Sequence, residues 1–332
     1  MIKILNGGIE MVVEDWPGRV GYMGLGMSPS GALDNLALQL GNILVGNKPG
    51  EAGIEITAGY CSVEFTEDKV IALTGTDMGA TLQGEKVPMW ETFMVHAGEQ
   101  LKFGHFGDQG FRTYLVIAGG IDVPEYLGSK STCLFGSYGG FEGRKLKQGD
   151  VLKGNKVLEQ EQCVGRKINP KYIPEYKNVW EIRLIVGPAS VPDYVTEEGM
   201  EYLFTHEHKV RHDCNRSGYR LEELPSFFFA RENGGEGGDH PSNWIESGYN
   251  MLGAVNINGN FPTLLVGDGP TFGGLMCSAN IIYADLWIVG QVIPGRDKIK
   301  FVYTTPEEAK QARIKQSQML KQKDLVITGY EK

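Results

Sequence analysis

Hydrophobic and polar positions alternate along this chain in two rhythms, and the changes between them mark out its elements. Leu33, Leu36, Ala37, Leu40, Ile43 and Leu44 recur at three- and four-residue steps, which predicts an amphipathic helix from Gly31 to Val45. Ser30 is placed to cap it, Asp34 suits the positive helix end, and Gly46-Asn47 stops it. From Ile54 to Ala118 the pattern shortens into β-rich runs at Ile54–Thr57, Cys61–Phe65, Val70–Leu73, Ala80–Leu82, Thr92–Val95, Gln100–Phe103 and Thr113–Ile117, separated by glycine or charged turns. Such spacing predicts a barrel or a sandwich. The first ten residues read as a strand with a Gly7-Gly8 turn, and runs 142–154 and 292–302 repeat the short-strand pattern. A glycine turn before a strand recurs at His96–Phe103, Lys147–Lys153 and Ile293–Phe301, a hint of two related halves.

Between Asn155 and Lys177 the chain turns polar and proline-bearing, which predicts a connection between domains. Trp180–Gly187 reads as a strand, Val191–Phe204 as a helix and Ala279–Val289 as a shorter apolar helix. Thr305-Pro-Glu-Glu308 is a capping box with proline at the first helical position, opening a largely polar helix to about Leu320. The expected domains are therefore 1–155 and 178–304, followed by a C-terminal helix over 305–322.

Composition narrows the class of partner. With 41% hydrophobic and 22% charged residues in 332, the chain can bury real cores, so disorder is excluded. A formal net charge of −9 argues against a nucleic acid, and no polybasic patch or long apolar run points to a membrane. The opening MIKILNGGIEMVVEDW has neither signal-peptide nor membrane-span character, so the expected location is cytoplasmic. Cys61, Cys133, Cys163, Cys214 and Cys277 are odd in number and widely spaced without a C-x-x-C pair, which fits reduced, buried thiols.

Candidate chemistry concentrates between Asp213 and Cys277, where polar residues alternate with glycines: D-C-N-R-S-G-Y-R-L, G-G-E-G-G-D-H-P-S-N and D-G-P-T-F-G-G. Glycine clusters of this density suit loops shaped around a ligand. Arg216 and Arg220, four apart, bring planar forks for a carboxylate if they converge, and otherwise pair with Glu222 or Glu223 on the surface. Glu236 and Asp268 bring acceptors, while His240, Asn243 and Thr271 bring mixed donors and acceptors. His206, His208, His212 and Cys214 share one parity, but eight strand steps of about 3.3 Å spread them over roughly 26 Å, so no metal is expected. The chain lacks a Gly-Lys-Ser/Thr loop, a G-x-G-x-x-G opening and a G-x-S-x-G elbow, which disfavours a nucleotide site and a serine nucleophile.

Glu14-Asp-Trp-Pro-Gly-Arg19, Ser30-Gly-Ala-Leu-Asp34, Gly41-Asn-Ile-Leu-Val-Gly-Asn47, Ala72-Leu-Thr-Gly-Thr-Asp77, Gly119-Gly120, Gly128-Ser-Lys-Ser-Thr132 and Gly139-Gly-x-x-Gly-Arg144 resemble the biotin-dependent carboxyltransferase family. That family includes allophanate hydrolase subunit 2-like proteins, the C subunit of 5-oxoprolinase and the carboxyltransferase region of urea carboxylase. The resemblance runs from about Asp15 to Glu308 and implies a mainly β fold of two cyclophilin-like β-barrel domains with accessory helices. It further implies transfer of a carboxyl group from carboxybiotin to the nitrogen of a small amide, urea-like compound or lactam. No A/V-M-K-M biotinylation motif is present, so biotin would be carried on another subunit. The implied partners are an allophanate hydrolase subunit 1-like protein, a biotin carboxylase and a biotin carrier protein. In that scheme Arg216 and Arg220 clamp the carboxylate, and the backbone N–H groups of Gly235, Gly237 and Gly274, with Thr271, meet the biotin ureido oxygen. Glu236, Asp268 and Asn243 orient the substrate, and His240 shuttles a proton. Gly234–Asn243 and Asp268–Gly274 look like the urea carboxylase branch. The alternatives are the C subunit of an ATP-dependent 5-oxoprolinase or lactamase, and a non-catalytic regulatory partner of a subunit 1-like protein.

Overall fold

The computed structural model describes residues 1–244, 251–269, 271 and 273–328. Pro270 and Phe272 of the last glycine-rich motif lie outside the described residues. The chain is mainly β, 34% strand against 18% helix, with curled sheets. It divides into two compact units, Met1–Val20 with Ser30–Tyr176 and Ser317–Lys332, and Gly21–Pro29 with Lys177–Gln316. The segment 155–176, expected to be a connection, is instead part of the first unit. Its strand Arg166–Ile168 pairs with Val326–Thr328, and Lys167 bridges to Glu91.

Two large antiparallel sheets make most of the first unit. One has seven strands in the order 121–122, 151–154, 2–6, 62–65, 100–102, 81–82, 85–86, and the other five in the order 10–14, 53–57, 112–117, 69–75, 92–95. Side chains alternate across a strand, so Ile54, Ile56, Ile71, Leu73, Leu115 and Ile117 meet Ile2, Ile4, Val63 and Phe65 in one apolar core. The opposite face of the five-stranded sheet is buried too, beneath the helix Asn35–Leu44. A Cβ on Gly41 would stand 2.9 Å from Thr74 Oγ1 and from Val116 Cγ2, so glycine sets how closely the helix approaches.

That helix begins later than its apolar spacing implied. Ser30 sits at φ 56°, which denies it the extended backbone an N-cap needs, and Asp34 caps instead, accepting from Ala37 N at 2.9 Å. Under the helix lies a polar set that the two-residue alternation brings to one face. Glu55 accepts from Arg112 Nε at 2.9 Å, Tyr114 Oη at 2.6 Å and Leu33 N at 2.9 Å. Tyr114 Oη in turn accepts from Asp34 N at 2.7 Å. Burial, followed by the neighbouring Glu55 and Asp34 charges, raises the Tyr114 pKa well above its ordinary value. Burial likewise pushes the Cys61 thiol up to about 12, in keeping with a small apolar core residue.

The second unit is built on one eight-stranded sheet, ordered 207–209, 298–303, 179–186, 274–281, 254–258, 261–265, 218–220, with 243–244 paired to the start of 274–281. Strands 179–186 and 298–303 run parallel, while every other pair in the sheet is antiparallel. Trp180, Ile182 and Leu184 point inward from the first of these. The helix expected over Val191–Phe204 forms as Glu197–Thr205, capped by Thr196, which accepts from Gly199 N at 2.9 Å. The helix expected over Ala279–Val289 is corrected: Ala279–Ile281 ends the strand Gly274–Ile281, and the helix is only Leu286–Gln291. The capping box forms at Thr305, whose N–H donates to Glu308 Oε2 at 2.8 Å, and the helix runs Pro306–Met319. Among the described residues no helix is long and apolar enough to cross a membrane.

Two stability measurements follow. Glu55 satisfies three buried donors, so Glu55→Ala should lower the unfolding free energy by about 3–5 kcal/mol in urea titration, the range for breaking a buried ion pair. A loss under about 1 kcal/mol would contradict that accounting. In the second unit His208 is fully buried, donates Nε2–H to Leu203 O at 3.0 Å, and is held below its ordinary pKa by that burial. Protonation therefore favours the unfolded chain: the contribution is complete above about pH 6.5 and is lost as pH falls below it. His208→Phe should flatten stability between about pH 7 and 5 relative to wild type; an unchanged slope would rule out this source.

Candidate functional site

The site expected between Asp213 and Cys277 lies within the second unit, built by a hairpin tip and two loops. Arg216 and Ser217 form a two-residue turn between Asn215 and Gly218, whose backbones exchange hydrogen bonds of 3.2 Å each way. Asn215 shapes the turn, its Oδ1 accepting from Ser217 N at 2.9 Å. The Arg216 carbonyl accepts from Asp268 N at 2.8 Å, which fixes the hairpin tip against the loop after strand Phe261–Leu265. Their side chains form a buried ion pair, Arg216 Nε to Asp268 Oδ2 at 3.6 Å, with exposures of 2% and 1%. An ion pair so far out of water persists because both partners are present.

The two arginines of the expected clamp have different partners. The turn at 216–217 sends the chain back on itself, and Arg220, past the turn on strand Gly218–Arg220, donates Nη1–H to the Asp213 carbonyl. Their expected surface partners are also taken: Glu222 accepts from His206 Nε2 at 2.9 Å and from Lys209 N at 3.1 Å, and Glu223 from Asn260 Nδ2 at 2.7 Å. His206 is thus a hydrogen-bond partner of Glu222, and Cys214 Sγ donates to Arg211 O at 3.1 Å. Among the described residues no group of three or more His, Cys, Asp or Glu is placed to hold a metal ion.

The glycine-rich loop folds as a compact knot. Gly234 N donates to Gly238 O at 2.9 Å, and the one-turn helix Gly235–Gly237 lies inside that closure. Gly235 N donates to Asn233 Oδ1 at 2.9 Å and Gly237 N to Gly234 O at 3.0 Å, so both N–H groups expected to face a cofactor oxygen are bonded within the loop. They hold the loop's own shape. Glu236 is exposed on this turn. Asn243 packs beneath it, since a Cβ on Gly238 would stand 2.9 Å from Asn243 Nδ2. His240 is engaged at both nitrogens, Nε2 with Asn260 Oδ1 and Nδ1 with Ser242 Oγ, each at 2.9 Å.

Strand pairing joins this loop to the other one. Asn243 faces Leu275 and Trp244 faces Gly274, and Met276 N donates to Ser242 O at 2.9 Å. Asn243 thus borders the 268–274 loop at one end, while Arg216 and Asp268 border it at the other. Thr271 is half-buried. Gly274, at φ 112° with open space in its Cβ direction, leaves its backbone open to a close approach. Sequence reasoning missed Ser28, whose Oγ donates to Gly269 O at 2.8 Å, because a contact over 241 residues leaves no local signal. It also missed Asn260, although Asn258-Gly259-Asn260 reads as a hairpin turn.

Known proteins agree with this architecture. The chain is 40% identical over 327 residues to urea amidolyase of Saccharomyces cerevisiae, covering 97% of this chain and 18% of that protein. It is 34% identical over 326 residues to the C subunit of 5-oxoprolinase from Escherichia coli, covering 97% of both. Among solved structures, the K. lactis urea amidolyase superposes with a TM-score of 0.90 at 35% identity over 99% of this chain and 21% of its own. The Kluyveromyces lactis urea carboxylase gives 0.89 at 34% over 100% and 30%. The chain therefore spans under a third of the urea-type relatives it matches. The family profile described as carboxyltransferase domain, subdomain A and B, matches residues 25–303, and the chain belongs to that family.

Proposed function

We propose that this chain is the carboxyltransferase component of a multi-part enzyme, moving a carboxyl group from carboxybiotin to the nitrogen of a small amide, urea-like compound or lactam. The observation that carries the reading is the buried Arg216–Asp268 pair at the edge of the 268–274 loop, in a chain 40% identical to a urea amidolyase. The residues present fit the group. A buried guanidinium suits a carboxylate, and the open approach at Gly274 suits a ureido oxygen. When bound, carboxybiotin, delivered by another polypeptide or domain, supplies an activated carboxyl group.

The chain's own task is positioning. Arg216, held in place by Asp268, orients the migrating carboxylate through its fork and offsets charge as transfer proceeds. Asp268 holds Arg216 in place, while Asn243 offers an acceptor to substrate N–H groups and Thr271 a hydroxyl. Buried acceptors left unpaired cost about 1–3 kcal/mol each, so a donor-rich substrate such as urea or a lactam fits better than an acyl thioester. Biotin carboxylase, a biotin carrier and a subunit 1-like protein are the partners this scheme requires. A second reading is the C subunit of a 5-oxoprolinase, favoured by the match that covers 97% of both chains.

The reconstituted complex, with ATP, bicarbonate and a biotinylated carrier, should release phosphate in response to urea or 5-oxoproline and not to acetyl- or propionyl-thioesters. Arg216→Ala should cut transfer by about 100-fold or more. Because that change takes the counter-charge away from buried Asp268, Arg216→Lys serves as the folded control: it keeps the charge, loses the fork, and should still lose about 10-fold or more. Arg220→Ala should stay within about threefold, as expected of a group spent on a backbone carbonyl. Full activity in Arg216→Lys, or turnover with thioesters alone, would overturn the reading.

A further inference from the structure

His240 is the residue whose place in the site the structure changes most. Asn260 lies at the tip of the hairpin Ala254–Asn258 and Phe261–Leu265, and its backbone is fixed there by Leu224 N, which donates to its carbonyl at 2.8 Å. Its side-chain amide has two ends, and Glu223 decides which way they point. A carboxylate only accepts, so the contact of 2.7 Å to Glu223 Oε1 must come from Asn260 Nδ2. Asn260 Oδ1 then faces His240 Nε2 at 2.9 Å, and an amide oxygen only accepts, so Nε2 carries the proton. Neutral imidazole keeps a lone pair on Nδ1, and that lone pair accepts from Ser242 N at 3.1 Å and meets Ser242 Oγ at 2.9 Å. The tautomer is specified independently from both sides of the ring.

We propose that Glu223 and Asn260 are positioning residues that lock His240 as the Nε2–H tautomer, and that His240 serves as the clamp of the glycine-rich loop and not as a proton shuttle. The clamp acts on the residues that count for the site. His240 O accepts from Asn243 N at 3.0 Å, Ser242 O accepts from Met276 N at 2.9 Å, and Ser242 is fully buried. Phe229 packs edge-on against the ring at 5.4 Å, closing a side that the hydrogen bonds leave. Three elements distant in sequence, at 223, 240–243 and 260, are thereby joined, and Asn243 is carried to Leu275 with a defined orientation. A shuttle needs one ring nitrogen in reach of the substrate; here each nitrogen has a protein partner.

This inference rests on the site assignment proposed above for its consequences in catalysis, but the tautomer can be read without activity. In the intact chain labelled with nitrogen-15 histidine, with the resonance assigned by its loss in His240→Gln, the ring at pH 8 should show a protonated Nε2 and a bare Nδ1. Asn260→Asp places a carboxylate opposite Glu223 and should loosen the lock: amide exchange at Ser242 and Asn243 should speed up by about tenfold, and kcat for carboxyl transfer should drop by about tenfold with little change in KM, as for a misplaced catalytic geometry. Combining Asn260→Asp with Glu223→Gln restores a donor–acceptor chain and should recover most of both, which general damage to the fold would not. A protonated Nδ1 in the wild-type ring, or no recovery in the double variant, overturns the proposal. A wild-type ring with the expected tautomer and a rescued loop, in a complex that carboxylates nothing, would leave the clamp standing and count against the carboxyltransferase reading alone.

Discussion

The buried pair of Arg216 and Asp268 is the constraint on which the site depends. A guanidinium at 2% exposure and a carboxylate at 1% are each costly to desolvate, and neither is tolerable there without the other. Such a pair adds little net stability. What it secures is position, because Asp268 N is bonded to the Arg216 carbonyl as well, so main chain and side chain agree on how the hairpin tip meets the loop. Strand 274–281 then carries the geometry onward, since its first residues pair with Asn243 and Trp244 and hold the glycine-rich loop beside the same 268–274 segment. The loop is tied together through Asn233, Gly234 and Gly238.

Much of the fold was legible because period-two alternation is a physical requirement of a half-buried strand. The run Thr92–Val95 was located to the residue, and Thr113–Ile117 missed only Arg112 at its start. The capping box at Thr305 was readable because both its hydrogen bonds are local. Failures have equally specific causes. Ser30 looked like a cap, but its positive φ belongs to the turn ahead of the helix, and Asp34 took the role. Ala279–Ile281 continued an apolar run whose length alone does not separate strand from helix. The segment after Asn155 looked like a linker because its partner, Val326–Thr328, lies some 160 residues away.

The sequence marked a candidate segment, and the contacts inside it were much less legible. Residue types and glycine density pointed to 213–277, and the motifs in the first 150 residues carried the family resemblance that the profile match over 25–303 bears out. Spacing of four suggested that Arg216 and Arg220 act together, yet a two-residue turn right after Asn215 separates their partners, Asp268 and the Asp213 carbonyl. Gly235 and Gly237 were expected to offer N–H groups, but a loop this short satisfies its own donors first. Partners such as Ser28 and Asn260 come from distant parts of the chain, and no local pattern announces them.

The most direct measurement is a single turnover with isotopically labelled carboxyl. The chain, in complex with its subunit 1-like partner, is mixed with carrier protein bearing labelled carboxybiotin, in the presence of urea or 5-oxoproline and without ATP or bicarbonate. The account predicts that the label appears on a substrate nitrogen, dependent on the chain and on Arg216. Label that stays on biotin or leaves as carbon dioxide, with none on either substrate, would contradict it.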